Sequence, residues 1–157
     1  MLHLNTAASS ATSPTWSRIG KSTILDLVMN AQTEENEFIE DEMATTDVMS
    51  YKPEIAEELQ TNKGDPAFDY IYAMFKARPT GEAIKKEIFL TFAGNVGTAS
   101  NVYFDAWKCD ASLTIDHFDA VAEKIYFNIT INSVTDGYVT VSTAGAPTFS
   151  TTAPTGG

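Results

Sequence analysis

The sequence predicts a mainly β protein, an antiparallel β-sandwich or open barrel with one flanking α-helix. Three observations carry this expectation. Apolar and polar residues alternate with period two in the second half, as in Ile125, Phe127, Ile129 and Ile131 against Tyr126, Asn128, Thr130 and Asn132. Turn chemistry separates such stretches, in GNVG at 94–97 and in Asp136-Gly137. Helical spacing is clear in one segment, about 65–78.

In chain order, residues 1–15 and 143–157 are small and hydroxylated, and read as an N-terminal arm and a flexible C-terminal arm around a domain at 16–142. Residues 23–33 alternate, with Leu25, Leu27, Met29 and Ala31 on one face, as a half-buried strand does. A long polar loop is expected at about 34–63, although EIAEELQ within 54–61 fits either a strand or a helix. Asp65 caps the helix, Pro66 takes its first position, and Phe68, Ile71, Tyr72 and Phe75 form its core face at i, i+3, i+4 and i+7. Lys76 and Arg78 suit the negative end of its dipole, and Pro79 with Gly81 stops it. Strands follow at 84–92, with Ile84, Ile88, Leu90 and Phe92 on one face, at 101–115 around Trp107, and at 125–132. Asp136-Gly137 is expected to turn a hairpin into Tyr138–Ser142.

A chain of 157 residues makes one domain with a sizeable core, and its charge of 10 − 21 = −11 would repel free nucleic acid or an anionic membrane. Cys109 is the single cysteine, so no intramolecular disulfide or CxxC metal site forms. The first residues lack the pattern of a signal peptide, and no apolar run reaches the ~18 residues of a membrane span. Asn128-Ile129-Thr130 matches a glycosylation acceptor but falls inside a strand pattern.

Catalytic and metal-binding motifs are incomplete. RIGKST at 18–23 lacks the first glycine of a phosphate loop, because Thr15 stands there. His117 between Asp116 and Asp119 reads as a polar turn, with no nucleophile or second base beside it. The acidic stretch EENEFIEDE brings together Glu34, Glu35, Glu37, Glu40, Asp41 and Glu42, yet it has no glycine for the sharp turn of a calcium loop. No catalytic residue, metal ligand or cofactor is expected. Strand edges in a small β domain with polar arms invite pairing with neighbours.

Taken in order, WSRIGKSTILDLVMNAQ, the acidic EDE linker, DPAFDYIYAMF, VYFDAWKCDASL and EKIYFNITIN resemble the major tail tube proteins of long-tailed, siphovirus-type bacteriophages over about residues 16–142. Met74-Phe75 stands where that family has an aromatic pair ending its helix, and Trp107 matches its strand tryptophan. The resemblance implies a structural virion protein, made in the host cytoplasm, whose hexameric rings stack into a tube. It also implies a tape measure protein in the lumen, tail terminator and tail tip proteins at the ends, and genome DNA passing without specific binding. The fold is shared with contractile-tail and type VI secretion tubes. The alternatives are a tube protein of a contractile injection or type VI secretion machine and, from another class, a carbohydrate- or calcium-binding β-sandwich.

Within the tube expectation the six carboxylates at 34–42 line the lumen or form the loop between rings, and Lys21, Lys52, Lys63, Lys85 and Lys86 are the possible complementary charges. A duct for DNA must not hold it. Carboxylates in the bore repel phosphates over roughly 8 Å at physiological salt.

Overall fold

The computed structural model describes residues 1–7, 12–20, 22, 25–36, 45–92, 102–141 and 147–154, with the backbone alone at Asn36 and Val141. The strands are β1 (Leu2–Asn5), β2 (Trp16–Ile19), β3 (Leu25–Val28), β4 (Ala31–Asn36), β5 (Thr45–Tyr51), β6 (Glu54–Gln60), β7 (Lys85–Thr91), β8 (Tyr103–Asp119), β9 (Lys124–Val141) and β10 (Pro147–Ser150). Helix α1 spans Pro66–Ala77, and a 3-10 turn spans Gly81–Ile84.

The fold is mainly β and antiparallel, as expected. One sheet runs β2-β1-β7-β8-β9-β6-β3, while among the described residues β4 and β5 pair only with each other. Its spine is the long β8–β9 hairpin, in which Asp119 Oδ1 accepts the Val121 and Ala122 N–H groups and shapes the tip. These two bonds hold the Asp119 carboxyl below the usual carboxylate range. Register shifts between Asp110 and Ala111 and between Ile115 and His117 bend the ribbon, so one strand pair serves two differently directed surfaces. Along the side of β9 away from β8, β6 covers Lys124–Thr130 and β10 covers Tyr138–Val141.

The main core gathers Leu2, Leu4, Ile19, Ile55, Ile88, Leu90, Leu113, Ile125, Phe127 and Ile129 with the helix residues Ala67, Phe68, Ile71 and Met74. Alternation explains it: every second residue of β7, β8 and β9 points to this face. Helix α1 packs against β2 and β8. Asp65 accepts the Ala67 and Phe68 N–H groups at 3.0 Å each, and Arg78 ends the helix in the left-handed region at φ 50°. A smaller cluster lies on the opposite face, where Trp16 and Phe149 stack on Phe89 at centroid distances of 3.8 and 5.5 Å beside Ala106 and Val139.

The sheet curls without closing. Residues 20–24 join β2 at one edge to β3 at the other, so the two edges stand no more than about 20 Å apart. Ser22 Oγ crosses this seam and donates to Glu57 Oε2 at 2.5 Å.

Several expectations are corrected. The expected strand at 23–33 is two strands, because Asn30 takes φ 44° and redirects the chain between β3 and β4. Only Leu27 on its expected apolar face is half-buried; Leu25, Met29 and Ala31 are exposed. The expected loop at 34–63 contains the rest of β4, then β5 and β6, and residues 54–60 form a strand. Within the expected arms, β1 lies inside the sheet between β2 and β7 with Leu2 and Leu4 buried, and β10 pairs with β9. On α1, Phe68 and Ile71 are buried, Phe75 is half-buried and Tyr72 is exposed, so the buried stripe turns toward Ala67 and Met74. Ile84 belongs to the 3-10 turn, and β7 buries Phe89 and Thr91 on its second face too.

Asp136-Gly137 makes no hairpin turn: β9 continues straight through it, opposite Trp107 and Ala106. The glycine has another use. A Cβ there would stand 2.5 Å from both Phe149 Cζ and the Ser150 carbonyl oxygen, so its absence lets β10 cross close to β9.

Candidate assembly surface

The β4–β5 hairpin stands apart from the main sheet. Every side chain described on it is exposed, including Val48 at 51%, Met49 at 64% and Tyr51 at 58%. Glu34 faces Asp47 across the ladder and Glu35 faces Thr46. Like charges directly opposite each other oppose pairing, and an isolated two-stranded hairpin is marginal in water. Its anchor is backbone: the Lys52 N–H donates to the Met29 and Asn30 carbonyls at 3.1 and 3.3 Å, and Ile131 N–H donates to the Pro53 carbonyl at 2.9 Å. Beside this root, β3 leaves Leu25 and Val28 exposed at the sheet edge. The structure therefore presents an acidic arm whose apolar groups have no cover among the described residues.

Of the acidic residues singled out in the sequence, Glu34 and Glu35 lie on this hairpin; Glu37, Glu40, Asp41 and Glu42 fall outside the described residues, as does Lys21. Lys52 and Lys63 are exposed. Lys85 Nζ lies 2.6 Å from Glu82 Oε1, and Lys86 Nζ lies 5.6 Å from the centre of the Tyr70 ring, so both have neighbours within the chain. None of the described ion pairs involves Glu34 or Glu35.

A groove of about 830 Å³ opens between the C-terminal end of α1, the 3-10 turn and β8. Met74, Phe75, Pro79, Ile84, Leu113 and Ile115 make its walls apolar, and Lys76 and Arg78 stand on its rim. Helical spacing ties these two cations to the helix dipole, and sequence reasoning missed that the turn after α1 also sets them beside an apolar wall. Asp116 lines the groove too and contacts His117 Nδ1 at 2.9 Å. His117 stacks on Tyr126 at 4.3 Å with both it and Asp116 exposed, a surface pair on β8.

Two further carboxylates went unnoticed because they lie inside the β6 pattern. Glu57 points into the core between Ile55 and Leu59, 4% exposed, and burial raises its pKa to about 7 against the hydrogen bond from Ser22. Glu58 points to the other face and meets Lys124 Nζ at 2.7 Å, which raises the lysine pKa. Burial, with Asp110 and Asp136 nearby, pushes the Cys109 thiol up to about 12, so it stays an unreactive part of the core. Among the described residues no group of three or more His, Cys, Asp and Glu side chains could hold a metal ion, and no helix is long and apolar enough to cross a membrane.

No family model and no curated protein matches the chain. Among solved structures it is similar to the anti-feeding prophage cap, described as a tube-terminating cap, at 19% identity over 86% of each chain with a TM-score of 0.49. A likeness at this level assigns no function.

Proposed function

We propose that the chain is a structural subunit of a phage tail tube, assembling as hexameric rings that stack around a lumen through which genome DNA passes. The observation that carries this reading is the β4–β5 hairpin, an element whose described side chains are all exposed and which displays Val48, Met49 and Tyr51 beside carboxylates. Such an arm gains its order from another molecule. The sheet edges at β2 and β3, which pair with no further strand among the described residues, and the motif order of tail tube proteins support the same reading. The role is structural, not catalytic, and the subunit takes no cofactor. Its place is the virion, with a tape measure protein in the lumen and tail terminator and tail tip proteins at the ends.

Net acidity serves a conduit, since carboxylates on the bore leave DNA without a binding surface. Glu34, Glu35, Glu37, Glu40, Asp41 and Glu42 lie at the ring junction or on the bore, and cations of the neighbouring subunit, Lys21, Lys52 and Lys63 among them, supply complementary charge.

Sedimentation velocity over a concentration series, followed by negative-stain microscopy of the fast fraction, tests the proposal. Rings or tubes with six-fold symmetry are expected. Monomer at every concentration and ionic strength, with no rings on the grid, overturns it.

A further inference from the structure

We infer that the groove beside the C-terminal end of α1 receives the β4–β5 hairpin of a second copy of this chain. This inference rests on the tube reading and names the two surfaces that meet. The hairpin offers Val48 and Met49, exposed at 51% and 64%, with Glu34, Glu35 and Asp47 alongside. The groove offers apolar walls and two cations, Lys76 and Arg78, neither of which forms an ion pair among the described residues, against one lining carboxylate, Asp116, which is held by His117 Nδ1 at 2.9 Å. Apolar surface meets apolar surface and acid meets base, which sets the register as well as the attraction.

Arg78 is also the residue that ends α1. Its φ of 50° is a conformation usually given to glycine, yet a long cation stands there, at the mouth of the groove. The two patches also lie on different parts of the subunit, so the contact is heterologous. Contacts of that kind close into rings or propagate as filaments, whereas a patch that pairs with itself stops at a dimer.

A charge-exchange experiment on the full chain tests the inference. One variant carries Glu34→Lys with Glu35→Lys, the other Lys76→Glu with Arg78→Glu. Each alone is expected to lose assembly. An equimolar mixture is expected to recover it, because each hairpin then finds a groove of opposite charge on the other variant. Arg78→Gly separates folding from docking: it relieves the left-handed backbone, so the melting temperature rises by about 2–4 °C while assembly weakens. A photo-crosslinker at Val48 is expected to mark residues 74–84 or 113–116 of a second copy.

If the wild-type chain forms no rings, the tube reading fails and this interface with it. If the wild type assembles and both charge variants assemble equally well, or the crosslinks map elsewhere, the interface alone is overturned.

Discussion

Ser22 Oγ donates a 2.5 Å hydrogen bond to Glu57 Oε2 across the seam where the curled sheet brings its two edges together. The carboxyl sits between Ile55 and Leu59 with its pKa raised by burial from 4.5 to about 7. A folded-state pKa above the unfolded value means that stability is fully present below pH 4.5 and falls as pH rises to about 7. The loss is on the order of 3 kcal/mol at and above neutral pH. Urea denaturation from pH 4.5 to 8 should show that decline, and Glu57→Gln should flatten it. An unchanged slope in the variant would place the titration elsewhere.

His3 acts in the opposite direction. Burial first, then Arg18 and the N-terminal amine, lower its pKa from 6.5. Stability from the neutral ring is present above pH 6.5 and is lost as pH falls through the depressed folded value. Its Nδ1 is buried with no hydrogen-bond partner among the described residues, and so is Oγ1 of Thr91. In a Glu57→Gln background, where the two titrations no longer overlap, acidification below pH 6.5 should lower the denaturation midpoint. A midpoint constant to pH 4.5 would contradict this.

Gly137→Ala should cost more than an ordinary glycine replacement in a strand. The added methyl group meets Phe149 Cζ and the Ser150 carbonyl oxygen at 2.5 Å each, and the carbonyl belongs to backbone that must move. A loss of about 1–3 kcal/mol is expected, with faster amide exchange in β10. Exchange in β10 matching the wild type would show that the strand has room to shift.

Asp65→Ala removes the acceptor for the Ala67 and Phe68 N–H groups. Because α1 carries Phe68, Ile71 and Met74 into the core, fraying at its first turn reaches the whole domain. Thermal unfolding should report a loss of about 1 kcal/mol. Asp65→Asn should recover most of it.

Local signals made much of this fold legible. The alternation of Ile125, Phe127, Ile129 and Ile131 marks β9, and Asp65-Pro66 marks the start of α1 to the residue. Strand β6 escaped because Glu57 and Glu58 interrupt its apolar pattern. Their compensating partners, Ser22 and Lys124, are distant in sequence, and only the folded sheet joins them. β1 and β10 are short and set in hydroxylated surroundings, so nothing local distinguishes them from arms. At Gly137 the turn signal misled, since the missing Cβ accommodates a ring from β10. Acidic EEN was visible as charge, but its place on a separate hairpin depends on Asn30 turning the chain away from the sheet. The groove was hidden for a similar reason: Lys76 and Arg78 belong to α1 in sequence and to β8 only in space.

In a tube, the β4–β5 hairpin is completed by another copy of the chain. Hydrogen–deuterium exchange on separated monomer and assembled fractions tests it most directly, followed at the amides of residues 31–35 and 45–51. Fast exchange is expected in the monomer, where every described side chain of the hairpin is exposed, and strong protection in the assembly. Strong protection already present in a proven monomer, or none gained on assembly, would contradict it.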